Sequence, residues 1–219
     1  MGSRTVHHET NIQKHSLSES ALVKRDGELL HVVDNWLAKA SALGGEHIAC
    51  RPGCAQCCVG VFAINRLDAA RLQRGLSALA DIDLDRAQRV LQRAAESLER
   101  NVDFFPGDVE TGILDDSLEA EEIFEDFAND EPCPALDPVT RTCDLYAHRP
   151  MTCRVYGPPI KSEGGLGVCE LCFTTASQEE IVAAEVPMEG MEQEAALNLE
   201  LERSTGNGKT IVAFALLGA

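Results

Sequence analysis

The chain has 219 residues, enough for one sizeable domain with tails, and its 44% hydrophobic and 25% charged residues are ordinary for a soluble globular protein. A net charge of −17 argues against a nucleic-acid backbone or an anionic membrane as the main partner. No apolar run approaches the roughly 20 residues that cross a bilayer. The polar start "MGSRTVHHETNIQKHSLSES" also lacks the apolar core of a secretory signal, so the expected location is cytoplasmic.

Residues 1–18 read as a disordered tail before a domain over 19–219. From Glu19 to Leu43, the residues Leu22, Leu29, Val33, Trp36, Ala40 and Leu43 keep helical spacing, and Gly44-Gly45 ends that helix. "CRPGCAQCCVG" follows at Cys50–Gly60. "VGVFAIN" reads as a short strand or extended piece, and Asn65 is suited to cap the next helix, which Leu72, Leu76 and Leu79 make amphipathic. "DLDRAQRVLQRAAESLERNV" is the clearest helix, with Leu84, Leu91, Ala95, Leu98 and Val102 expected on one side and arginines on the other. "FFPGD" ends it.

A further helix is expected around Ser117 to Ala128. Between Pro132 and Gly167 the chain is irregular and dense in Pro, Gly and Cys. "HRPMTCRVYGPP" allows one short helix there, with Pro150 at its first position. "SQEE" at 177–180 resembles a capping box opening a helix through Val186; Glu189 to Arg203 forms another, and "GNGKTIVAFALL" reads as a turn and a strand. The expected fold class is mainly α (α+β). Helices surround an irregular cysteine-rich core over 46–175, with a few short strands and an acidic insert at 108–131.

Charge is unevenly spread. From Asn101 to Thr140 there are 13 acidic residues and no Lys or Arg, while the remainder carries 23 acids against 19 bases. The stretch reads as a solvated helix face or acidic loop, with a docking surface for a basic protein partner, or a lid, as the alternatives. It lacks the alternating ligand order of a calcium loop. "TGNGKT" near the C-terminus is a turn rather than a phosphate loop, because Arg203 stands where the motif needs its first glycine.

The nine cysteines are Cys50, Cys54, Cys57, Cys58, Cys133, Cys143, Cys153, Cys169 and Cys172. An odd count without an export signal argues against a disulfide framework, and four thiols within nine positions are too crowded for ordinary core packing. Thiolates at C-x3-C and C-x2-C spacing suit zinc or an iron–sulfur cluster, because a tight turn aims both sulfurs at one point. Gly53 eases such a turn. Cys57 and Cys58 point apart, so one compact loop closes a tetrahedron poorly. Shared ligation is therefore expected between the first block and Cys133, Cys143 or Cys153, with Cys153 the preferred partner. Arg51, Arg149 and Arg154 are candidates to offset thiolate charge. Tyr146 and Tyr156 are expected to pack over the site, and His47 and His148 are the histidines nearest to it in sequence.

"CRPGCAQCC", "CPALD" and "TCDLYAHRPMTCRVYG" with a trailing cysteine resemble the YkgJ-type cysteine-cluster proteins, a family read as zinc- or iron-chelating. The likeness runs from about Cys50 to Cys172. It matches Cys50, Cys54, Cys57 and Cys58 to the first block, Cys133, Cys143 and Cys153 to the second, and Cys169 to the final cysteine. Cys172 is extra or replaces a neighbour. A distant branch, the flagellin lysine N-methylases, implies a methyl transfer from S-adenosylmethionine at an iron–sulfur centre. Three functions stand open on the sequence: a metal-holding protein, an iron–sulfur enzyme, and a zinc-stapled interaction module using the acidic segment.

Overall fold

Polar side chains placed one residue before apolar runs decide where several helices begin. The structure, a computed structural model, describes residues 5–162 and 165–218; the side chains of 5–19 and of Ser162 lie outside that description. Helix α1 (Thr5–Gly44) contains the segment marked by periodicity and buries Leu22, Leu29, Val33 and Ala40. The tail expected over 1–18 falls on positions whose backbone (1–4) or side chains (5–18) are outside the described residues. After the first cysteine block come strand β1 (Ala63–Ile64), helix α2 (Arg66–Ile82) and helix α3 (Leu84–Asn101). Asn65 Oδ1 accepts from the Asp68 N–H at 2.8 Å and Asp83 Oδ1 from the Arg86 N–H at 3.0 Å. Each cap satisfies an amide that no helical carbonyl reaches.

The buried side of α3 differs from the leucine side expected. Ala87, Val90, Ala94 and Ser97 face inward, whereas Leu84 and Ala95 are exposed and Leu91, Leu98 and Val102 are half-buried. Small residues lie where α3 meets α2 and the C-terminal helix, because close helix approach leaves no room for leucine.

Strands β2 (Gly107–Asp108) and β3 (Ile113–Leu114) pair antiparallel, and Ser117 caps α4 (Leu118–Asp126), inside the span expected. Pro150 is the cap of α5 (Met151–Val155) rather than its first residue. Strands β4 (Ile160–Ser162) and β5 (Gly165–Gly167) form another antiparallel pair. Helix α6 (Gln178–Ala183) opens on the expected capping box of Ser177 and Glu180. It stops short of Val186, whose N–H pairs with the Pro159 carbonyl at 2.8 Å. Helix α7 is Glu189–Thr205.

The C-terminal strand is corrected. Only Thr210–Ile211 is extended, as β6 antiparallel to β1; Val212–Leu217 is helix α8, ended by Gly218 in the left-handed region. Val212 to Leu216 are all buried. A short segment apolar on every side carries no period that tells strand from helix.

Helix α2 stands between two cores. On one side Leu72, Val90, Ala94, Ala215 and Leu216 pack with Ala135 and Leu145, which come from the cysteine-rich segment. On the other, Leu22, Leu29, Val33, Leu67 and Leu197 pack with Met151 at the start of α5. The irregular segment is thus anchored by three apolar plugs. A charged network seats α5 further. Fully buried Arg71 donates to Asp26 Oδ1 (2.6 Å), to Asp68 Oδ1 (2.6 Å) and to Glu194 Oε1, and Arg74 donates to Asp26 Oδ2 (2.7 Å). Asp68 Oδ1 also accepts from the Met151 N–H at 2.9 Å. Buried charges of this kind require paired and hydrogen-bonded partners, and all of these have them.

Candidate metal centre

Two tight turns build the first cysteine block. The Cys54 N–H donates to the Arg51 carbonyl at 2.9 Å around Gly53, whose φ of +92° a side-chain-bearing residue rarely adopts. The Cys58 N–H then donates to the Ala55 carbonyl at 3.0 Å. The second block attaches to this loop through its backbone. The Cys133 N–H donates to the Cys58 carbonyl at 2.8 Å, Val59 bridges to Pro132, and the Gly60 N–H donates to the Glu131 carbonyl at 2.9 Å. A turn seated on Asp137 brings Cys143 back beside Leu136. Short helix α5 carries Cys153.

Three arginines of α3, spaced seven apart, hold this segment from the side. Arg86 and Arg93 each donate at 2.6 Å to the buried Asp144, Arg93 donates to the Pro134 carbonyl at 2.8 Å, and Arg100 donates to Glu131 at 2.6 Å. Sequence reasoning places these arginines on the solvent side. Their heptad spacing is a signal that they share a face, but their acidic partners are 31 to 58 residues away.

The last two cysteines return to the start of the first block. The Cys169 N–H donates to the Gly157 carbonyl at 3.3 Å, the Phe173 N–H to the His47 carbonyl at 2.8 Å, and the Ala49 N–H to Cys172 Sγ at 3.4 Å. Gly157 has φ +127°, and a Cβ there would stand 2.7 Å from Cys50 Sγ. Only glycine lets this sulfur approach the chain.

All nine cysteines are free thiols; Cys169 and Cys172 are buried, Cys50 is exposed and the rest are half-buried. Their mutual electrostatic influence divides them. In one group the Cys58 thiol donates to Cys57 Sγ, so these adjacent sulfurs meet rather than point apart as expected; that bond, a backbone hydrogen bond and the charge of Arg149 outweigh burial and lower Cys57 to about 6. That donation raises Cys58, burial adds to it, and the charges of Cys57, Cys133 and Cys143 act in the same direction. Burial pushes Cys133 up to about 12 and also raises Cys143 and Cys153, each of which feels Cys57. In the other group burial pushes Cys50 up to about 12, followed by the charge of Cys172, to which its thiol donates; Cys54 and Cys169 add to the rise. Burial raises Cys169 as well, which donates to Cys172 in turn. Tyr156 lies between, raised by burial and then by Cys169, Cys57 and Cys172.

The sulfurs are prepared as acceptors. The N–H groups of Ala135, Leu145 and Leu171 act on Cys133, Cys143 and Cys169, in each case the amide two residues on, and each favours the thiolate. Crowded thiols in a partly dry site resist ionisation together, and a cation reverses that balance by displacing their protons. Soft donors in this number and crowding fit zinc or an iron–sulfur cluster. Among the described residues, no three His, Cys, Asp or Glu side chains stand in direct metal-ligating geometry.

The flanking residues take distinct places. Arg149 lies 3.9 Å over the Tyr146 ring, and its charge favours the thiolates of Cys57 and Cys143. Arg154 instead turns to Asp34 (2.5 Å) and the Ala147 carbonyl (2.6 Å), leaving its buried Nε without a hydrogen-bond partner among the described residues. Arg51 lines a cavity beside Cys54. His47 stacks on Phe173, and His148 packs against Gly75 with its pKa lowered by burial.

Fold and site together define a helical protein in which cysteine thiols from distant chain segments are gathered. The sequence model of the CxxCxxCC family, described as "putative zinc- or iron-chelating domain", matches residues 49–185, more than half of the chain, and the chain belongs to that family. The match spans all nine cysteines and agrees with the resemblance carried by their spacing. No curated protein and no solved structure gives a significant match. No helix among the described residues is long and apolar enough to cross a membrane.

Proposed function

We propose that the chain is a metal-holding protein with two thiolate sites. Cys57, Cys58, Cys133, Cys143 and Cys153 surround one, and Cys50, Cys54, Cys169 and Cys172 the other. The supporting observation is the division of nine thiols into two groups, each drawing on both the first block and the downstream cysteines. Four thiolates close a zinc site or complete a cluster, so each group has enough donors. Arg149 partly neutralises the first group.

Element and acid-labile sulfide analysis of anaerobically purified protein tests this reading, together with an absorption spectrum. Zinc in a colourless protein assigns zinc sites; iron with matching sulfide and broad visible absorption assigns clusters. Either metal at two sites per chain supports the proposal. Protein that takes up neither zinc nor iron when its thiols are reduced overturns it.

A further inference from the structure

We infer that the cavity beside Cys54 binds a small anion, a carboxylate- or phosphate-bearing molecule held between Arg51 and Arg141. The cavity has a volume of about 350 Å³, and Arg51, Gly53, Cys54, Gln56, Arg141 and Leu171 are among its lining residues. That volume lies within the roughly 300–1,000 Å³ typical of small-molecule sites.

Its charge is opposite to that of the chain. In a protein of net charge −17, no carboxylate is among the described residues lining this cavity, and two guanidiniums are. Arg25, Arg71, Arg74, Arg86, Arg93, Arg100 and Arg154 all have acidic partners. Among the described residues, Arg51 and Arg141 have none, as is also true of Arg66, Arg89, Arg149 and Arg203, but these two share one cavity. The carboxylate of Glu170, next to the lining Leu171, accepts from Gln56 Nε2 at 2.6 Å and is the nearby negative charge that the two guanidiniums must outweigh.

Arg141 is also held in place. It sits at φ +54°, a left-handed conformation uncommon for a residue with a side chain, and its N–H donates to the Asp137 carbonyl at 2.9 Å. Asp137 braces the turn by accepting from the Val139 and Thr140 N–H groups at 2.9 and 2.7 Å. The turn carries Arg141 across to the first block, where its Nε reaches the Gly53 carbonyl at 3.4 Å. The terminal nitrogens stay available for a planar or tetrahedral oxyanion. A rival role for both arginines is counter-charge to the thiolates alone.

The inference stands on protein side chains and not on the two-site metal reading. It is tested by calorimetric titration of the full chain, as purified with its metal, using inorganic phosphate and separately succinate. Saturable binding of at least one is expected, and the probe that binds distinguishes a phosphate from a carboxylate ligand. Arg51→Gln and Arg141→Gln should each weaken it about tenfold or more, the scale of a lost charge-assisted hydrogen bond. Arg89→Gln, on the exposed side of α3, should leave it unchanged. Metal content is measured on every sample. Retained metal with lost anion binding supports the site. Where a glutamine variant loses metal, Arg51→Lys or Arg141→Lys keeps the charge without the fork, and weakened binding at full metal content supports it. Absence of saturable binding by either probe overturns it, as does binding unchanged in the Arg51 and Arg141 variants.

Discussion

Cys58 and Cys133 are joined through their backbones, the Cys133 N–H donating to the Cys58 carbonyl at 2.8 Å across 74 intervening residues. The bond is backed by packing, because Ala135 and Leu145 are buried against α2, α3 and α8 just beyond it. The two cysteine blocks therefore meet by ordinary protein contacts, and under the proposed function a metal would add sulfur bonds to a junction already made.

Metal removal should then act unevenly. Residues 48–58 and 165–173 have few apolar anchors besides Phe173 and the cysteines themselves. Chelation under reducing conditions should raise their amide exchange about tenfold or more, an opening made easier by about 1.4 kcal/mol. Amides of α2, α3 and α8 should change little, and residues 133–145 should fall between. Equal protection throughout the chain with and without metal would contradict a folding role for the centre.

Gly157→Ala combines two faults, a strained φ of +127° and a Cβ 2.7 Å from Cys50 Sγ. It should cost the metal of the Cys50, Cys54, Cys169 and Cys172 group while circular dichroism still reports the helices. Metal content equal to the unaltered protein would show that the close approach of Cys50 is unimportant.

The Asp144 side chain is 1% exposed and depends on Arg86 and Arg93. Arg93→Ala also frees the Pro134 carbonyl, and should lower unfolding free energy by about 1–3 kcal/mol. Removing both arginines leaves a buried carboxylate unpaired, for which about 3–5 kcal/mol is the usual scale. Denaturant titration measures both. A double variant no less stable than the single one would mean that Asp144 finds another partner.

Burial, and then the charge of Asp68, raises Glu194 from its ordinary 4.5 to about 7, against the attraction of Arg71. The native state thus holds this proton more tightly than the unfolded chain. Its contribution is fully present below about 4.5 and is lost as pH rises towards about 7. Glu194→Gln keeps an acceptor for Arg71 and removes the titration. Unfolding midpoints across that window should fall for the native sequence and stay flatter for the variant. Parallel profiles would place the excess proton elsewhere in the network.

The sequence by itself determined the helix starts at Asn65 and Ser177, because a cap is a bond between a side chain and an amide three residues on; the caps at Asp83 and Ser117 follow the same rule. It also carried the family, since the cysteine spacing around Cys50–Cys58 and Cys169–Cys172 is written locally and the family model covers it. Tertiary structure alone decided which face of α3 is buried, that Val212–Leu217 coils, and that Cys50 keeps company with Cys172 rather than with Cys57. Arg71 gathering Asp26 and Glu194, and Gly157 making room for Cys50 Sγ, belong with these. The physical reason is range. Capping and turn bonds act within about four residues, whereas these pairings close loops of tens of residues. Their outcome depends on how α2, α3, α7 and α8 pack, which no local spacing encodes.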